Sequence, residues 1–176
     1  MQNKINNALF KIFSQIIDYE IIISGAELPI NTKKGALLLT LLNARPLTTS
    51  AKDFNHLIKI IENENDDVFI ESKSLYTSSY QLDLYKENPR NLGYIEVNQK
   101  AYELQEYLKS YDVAETLKEA NAEILPNFSS IRFLTDYNEN KKLVSRASFD
   151  FEIIFTQINL EKIDKFDKIN INLNTI

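Results

Sequence analysis

The chain of 176 residues is long enough for one domain with a sizeable core and too short for two comfortable ones. Its composition, 44% hydrophobic and 26% charged, is ordinary for a globular protein and argues against a disordered chain. The lack of cysteine excludes disulfides and thiolate chemistry, and the net charge of −5 disfavours binding of nucleic acid over a broad surface. No apolar run approaches the roughly 18 residues of a membrane span, so we expect no contact with a membrane.

The first part of the chain predicts one helix and two strands. Apolar residues at three- and four-residue steps predict an amphipathic helix over residues 3–19. Residues 21–23 are a candidate edge strand. The apolar run 35–43 predicts a strand that is covered on both faces and that Arg45 and Pro46 end, although periodicity alone leaves a buried helix open.

The middle of the chain predicts a hairpin. The segment 48–67 is the least legible, with a candidate strand at 56–61 and an acidic turn at 63–67. Alternation of polar and apolar residues over 68–86 predicts a long strand that pairs with the preceding run.

Two further helices are predicted after this hairpin. Apolar residues at helical spacing predict a helix over 97–108, with Asn98 as its N-cap. Asp112 and Glu115 fit a capping box that opens a third helix, which extends to about Ala120. Two short strands and a turn then follow at 123–125, 131–134 and 138–140.

The most regular pattern in the sequence lies at 144–157. Its apolar residues share one parity, which an extended backbone sends to one face. These residues are Ala147, Phe149, Phe151, Ile153 and Phe155, and the opposite parity carries Arg146, Ser148, Asp150 and Glu152. A helix would scatter the aromatic side chains around its circumference, so we predict a long, half-buried strand at the centre of a sheet.

Together these elements predict an α+β fold with a single mixed, mainly antiparallel sheet and two or three helices packed on it. Residues 1–157 form the predicted domain. Residues 158–176 alternate only weakly and have little to pack against, so we expect a C-terminal arm or a peripheral hairpin there.

One arrangement in the sequence is typical of an enzyme. Glu71 and Lys73 lie near a strand end, downstream of Asp53, Asp66 and Asp67. Metal-dependent nucleases place two carboxylates and a lysine around Mg²⁺ in this way. Alternating charges also mark the solvated face of an ordinary strand, and we favour that explanation.

Other candidate chemistry is weaker. We expect Arg146 to pair with Asp150 or with a neighbouring chain, while an acid and base pair formed by Asp150 and Glu152 is the alternative. The single histidine, His56, has no identifiable partner, and three glycines leave no room for a phosphate-binding loop. The spacing of the tyrosines favours core or interface packing over stacking on nucleic acid. We therefore predict no catalytic residue, no metal and no cofactor.

Several local patterns follow one another in a fixed order. A proline-bearing loop leads to an apolar strand with a basic end, a long strand with a terminal aromatic residue, a helix, and a strand with Arg-Ala before an aspartate. The residues that carry these patterns are Leu28-Pro29, Ala36 to Leu42, Ala44-Arg45-Pro46-Leu47, Ser79 to Tyr85, Ala101, Leu104, Leu108 and Arg146-Ala147-Ser148-Phe149-Asp150-Phe151. Over about residues 28–157 the chain resembles the tail terminator, or neck, proteins of long-tailed bacteriophages and prophages.

The resemblance implies a mixed α/β domain whose copies close into a ring, usually a hexamer, on the last ring of the tail tube. Such a ring stops tube growth and joins the tail to the head connector in the virion, after assembly in the host cytoplasm. Its implied partners are further copies of itself, the tail tube protein and a head completion or connector protein, with DNA only passing through the lumen. The candidate interface or fold-specifying residues are Arg45, Arg146, Asp150 and Glu152.

Two other functions stay open on the sequence. The first is a divalent-metal-dependent nuclease that uses Glu71 and Lys73. The second is another interaction module of tail completion.

Overall fold

Three helices and seven strands form the part of the chain that the computed structural model describes. The described residues are 2–23, 32–47, 57–62, 68–88, 92–137 and 142–163. In chain order the elements are α1 (Gln2–Ile16), β1 (Glu20–Ile23), β2 (Ala36–Pro46), β3 (Leu57–Glu62), β4 (Val68–Glu87), α2 (Leu92–Tyr107), α3 (Tyr111–Lys118), β5 (Ala122–Ile124), β6 (Arg132–Tyr137) and β7 (Leu143–Ile163).

All seven strands belong to one mixed sheet. The path through the sheet is β1-β2-β4-β7-β5, with β3 added beside β4 and β6 beside β7. Strands β1 and β2 run parallel, whereas every other pair is antiparallel. The predicted α+β fold with a mainly antiparallel sheet is therefore confirmed, as is the hairpin of β3 and β4.

Two long strands form the middle of this sheet. β4 and β7 pair without a shift of register from Val68 opposite Ile163 to Glu87 opposite Val144. The apolar side chains of β7 that share one parity, from Ala147 to Phe155, are all buried. The prediction of a long, half-buried strand at 144–157 is confirmed.

The three described helices pack on one face of the sheet, which we call the core face. α1 buries Ile5, Leu9, Ile12 and Phe13. These residues share a single cluster with the buried side chains of α2, α3, β2, β4 and β7. Within this cluster the rings of Tyr80 on β4 and Phe151 on β7 stack, with centroids 5.5 Å apart. No helix among the described residues is long and apolar enough to cross a membrane.

β2 does not end where the sequence predicts, because the strand continues through Arg45 and Pro46. Leu47 N donates to Leu75 O, so the pair of Pro46 and Tyr76 lies at a position without ladder hydrogen bonds and the proline nitrogen points away from β4. Proline is tolerated at such a position because no ladder bond is lost. The expected burial on both faces holds only at the start of β2, since its last five residues are exposed.

The two predicted helix caps are wrong. Helix α2 begins at Leu92, so Asn98 lies inside it. The N-cap of α3 is Ser110, whose side chain accepts a hydrogen bond from Val113 N, while Asp112 lies in the first turn. An acidic residue in the first turn also favours a helix start, which explains why the sequence signal points close to the right place.

Several predictions fall outside the described residues. They concern the loop with Leu28-Pro29, the segment 48–56 with Asp53 and His56, the acidic turn 63–67, the turn 138–140 and the stretch 164–176. The predicted boundary between residues 157 and 158 falls inside β7, which continues to Ile163.

Candidate assembly surface

The face of the sheet opposite the helices is polar. Residues that lie opposite one another in neighbouring strands share a face, and the register therefore collects one set of charged and amide side chains there. We call this set the polar sheet face, and it consists of Arg45, Gln81, Asp83, Arg132, Arg146, Asp150 and Glu152. All four candidate residues from the sequence lie on it.

A buried ion pair lies near the middle of this face. Arg146 on β7 donates to Oδ1 of Asp83 on β4 from Nε at 3.0 Å and from Nη2 at 2.9 Å. The Asp83 side chain is only 4% exposed. Gln81 Nε2 lies within hydrogen-bond distance of both carboxylate oxygens, and the Arg146 guanidinium lies 5.4 Å from the centroid of the Tyr85 ring. The negative charge of the Asp83 carboxylate is thus compensated by the Arg146 guanidinium and by the Gln81 amide.

The expected pairing of Arg146 with Asp150 is wrong. Two residues four apart along a strand are separated by about 13 Å, whereas diagonal neighbours on adjacent strands lie about 7–8 Å apart. Asp83 is such a diagonal neighbour of Arg146, because it lies opposite Ser148. Asp150 instead accepts a hydrogen bond at 2.8 Å from Nη2 of Arg132, which comes from β6.

The other two candidate residues differ in their surroundings. Glu152 accepts a hydrogen bond from the Ser79 hydroxyl at 3.1 Å, across the pair of central strands. Arg45 lies exposed at the end of β2, opposite Thr77, and forms no ion pair with a described residue. Among the four candidates, Arg45 and Glu152 form no ion pair with a described residue, whereas Arg146 and Asp150 each form one.

The candidate nuclease residues lie farther along the sheet. Nζ of Lys73 and Oε1 of Glu71 form an ion pair at 3.1 Å. Within the ranges that the structure describes, no group of three or more acidic or histidine side chains could hold a metal ion. The aspartates that the sequence placed beside Glu71 lie outside those ranges.

The tyrosines divide between core and surface. Tyr76 and Tyr80 stack on Phe155 and Phe151, as packing would require. Burial raises the pKa of Tyr80 to about 12, so its hydroxyl stays protonated. Tyr102 and Tyr111 are exposed, at 56% and 75%, and lie outside the core, although the Tyr102 ring lies 6.0 Å from that of Phe133.

Two residues of the polar sheet face, Asp83 and Arg132, complete its ion pairs, and their pairing was not predicted from the sequence. Arg132 belongs to the short strand β6, and no local pattern of the sequence fixes the position of β6 beside β7. The ion pair of Arg132 with Asp150 could have been predicted only once the register between β6 and β7 was known. Four of the charges on this face thus form two ion pairs, Arg146 with Asp83 and Arg132 with Asp150.

No model of a known protein family matches the sequence, and no curated protein is significantly similar to it.

Proposed function

We propose that this chain is a structural protein that caps a phage tail tube, terminates its growth and joins the tail to the head connector as a homohexameric ring. The α+β fold with one mixed sheet is compatible with the domain that the resemblance implies. On the polar sheet face Asp83 pairs with Arg146 and Asp150 pairs with Arg132, while Arg45 forms no ion pair with a described residue, which supports a role for this face in contact with other proteins.

The observation that carries the proposal is the position of residues 146–151, the most specific part of the resemblance. Phe149 and Phe151 are fully buried on the core face. Arg146 and Asp150 on the opposite face tie β7 to β4 and β6 through ion pairs. This short stretch thus links the core of the domain to the surface that we assign to assembly.

Sedimentation velocity and negative-stain electron microscopy of the purified chain test the proposal. We expect rings of about six copies whose size does not depend on Mg²⁺. A monomer at every concentration, or one that cleaves DNA when Mg²⁺ is added, contradicts it. Glu71→Gln is the matched variant, because it leaves a ring unchanged but abolishes activity if Glu71 holds a metal.

A second assay addresses the cap itself. The purified ring is added while the tube protein of the same phage polymerises. We expect the ring to stop elongation and to stay bound at one end of the tube. Tubes that grow to the same length with and without the chain contradict termination, even if rings are seen.

A further inference from the structure

One end of the sheet is a ribbon of three strands. β2 ends opposite Tyr76 and β5 ends opposite Phe155, so beyond these points the described sheet consists only of β3, the start of β4 and the end of β7. We call this part the ribbon: residues 57–62, 68–73 and 158–163. It has two outer edges, one on β3 and one on β7.

The hydrogen bonds of β7 show which of its residues face the outer edge. Glu152 O accepts from Leu125 N, and Thr156 N donates to Asn121 O, so even-numbered residues of β7 direct their backbone groups away from β4. The register with β4 has no shift, and the same rule therefore applies to Ile158 and Leu160. No described residue bonds these backbone groups on that side, and their side chains are 39% and 62% exposed.

The outer edge of β3 follows from the same reasoning. Leu75 O accepts from Leu47 N, so odd-numbered residues of β4 direct their backbone groups toward the side that β2 and β3 occupy. Lys59 lies opposite Glu71 and bonds to it, which leaves the backbone groups of Ile58 and Ile60 directed outward. Nothing in the described part of the chain pairs with that edge.

We propose that the β7 edge of the ribbon pairs with the β3 edge of the next copy of this chain. Unpaired strand edges that carry apolar side chains attract further strands. The two edges flank the same residues of β4, 68–73, so they lie level with one another along the strand direction. Both strands are antiparallel to β4 and hence run in the same direction. Copies related by a rotation about the strand direction therefore bring β3 against β7 as a parallel pair.

This inference rests on the proposed ring, because the ring supplies the rotation. A head-to-tail contact whose rotation closes gives a ring without leftover edges. The ribbons of all copies then join into one closed barrel, with three strands from each copy. The chain already uses a parallel pair between β1 and β2.

Cysteine cross-linking tests the contact, because the natural chain contains no cysteine. Lys59 and Leu160 both lie opposite Glu71 and so share a face. We expect a short bismaleimide to convert the double variant Lys59→Cys/Leu160→Cys into a ladder of oligomers that ends at the ring size. Neither single variant should cross-link, and a mixture of the two should give dimers.

Each other outcome overturns the inference. If Leu160→Cys alone gives dimers, β7 pairs with its own copy across a two-fold axis. If the double variant stays uncross-linked while electron microscopy shows rings, the edge contact is wrong and the ring stands. If the protein is monomeric and gives no ladder, both the contact and the ring fail.

A proline variant gives an independent measurement. In Leu160→Pro the lost N–H is the one directed outward, so the bonds to β4 remain and an edge position tolerates the ring of proline. We expect association to weaken by about tenfold or more because the edge loses a donor. Leu160→Ala keeps that donor and is the matched control. Equal association of the two variants, with equal urea midpoints, contradicts strand pairing at this edge.

Discussion

Arg146 and Asp83 form a charge pair that joins the two central strands from the side opposite the helices. Both guanidinium contacts go to Oδ1, at 3.0 and 2.9 Å, and the aspartate side chain is almost fully buried. A buried carboxylate is costly unless it is paired and hydrogen-bonded. The arginine is therefore needed for the fold before it can serve any contact between copies.

Arg146→Ala is expected to destabilise the domain by about 3 kcal/mol, because it leaves the Asp83 carboxylate buried with only the Gln81 amide beside it. Urea unfolding followed by circular dichroism measures the loss. In an Asp83→Asn background the same substitution should cost at least about 1 kcal/mol less, since no charge is then left uncompensated. Equal costs in the two backgrounds would contradict the pairing, and unchanged stability and oligomer size would contradict a role of Arg146 in the fold and in the proposed assembly.

The pair of Arg132 and Asp150 provides a contrast on the same face. Its distance of 2.8 Å is similar, but the side chains are 49% and 32% exposed. Solvent screens such a pair, so we expect Arg132→Ala to cost less than about 1 kcal/mol and the cost to shrink further in high salt. A loss as large as that for Arg146→Ala would show that exposure does not set the difference between the two pairs.

The strands and the first helix could be predicted from the sequence because their burial is periodic. Five alternating apolar residues from Ala147 to Phe155 need one buried face, and only an extended chain provides it. The same kind of signal located α1 and the hairpin of β3 and β4. The periodic spacing of apolar residues was thus sufficient to predict the strands of the central sheet.

What the sequence did not predict depends on contacts between distant residues. Arg146 and Asp83 are 63 positions apart, and which charges meet across two strands depends on a register that no local pattern fixes. Pro46 is acceptable in β2 only because its nitrogen faces away from β4, which cannot be known before the strands are paired. Whether Ser110 or Asp112 caps α3 depends on the backbone conformation of a single turn.

Phe151 is expected to be among the most costly positions in the core. It is fully buried, and the rings of Tyr80, Phe128 and Phe149 surround it at centroid distances of 5.5 to 6.3 Å. Phe151→Ala removes this packing and leaves a cavity, with an expected loss of about 3–5 kcal/mol in urea unfolding. Phe10→Ala is the control, because Phe10 is 49% exposed on α1 and its removal should change stability by about 0.5 kcal/mol or less. Similar losses for the two variants would place Phe151 outside the core.

Gly35 is expected to tolerate no side chain. Its φ of +99° is a conformation that L-residues rarely adopt, and a Cβ built there would lie 2.5 Å from Cδ1 of Tyr19. The Tyr19 ring is held in place, because its hydroxyl donates to Glu96 at 2.8 Å and the Nζ atoms of Lys86 and Lys100 each lie 5.1 Å from its centroid.

Gly35→Ala should therefore cost about 2–5 kcal/mol, from backbone strain together with the clash against the ring. Thermal and urea unfolding of the variant measure this loss. Tyr19→Phe keeps the ring and should leave the cost of Gly35→Ala unchanged, whereas Tyr19→Leu removes the ring atoms and should lower it to the strain alone. If the cost is the same in both backgrounds, the contact with Tyr19 contributes nothing, and the restriction at Gly35 comes only from its backbone conformation.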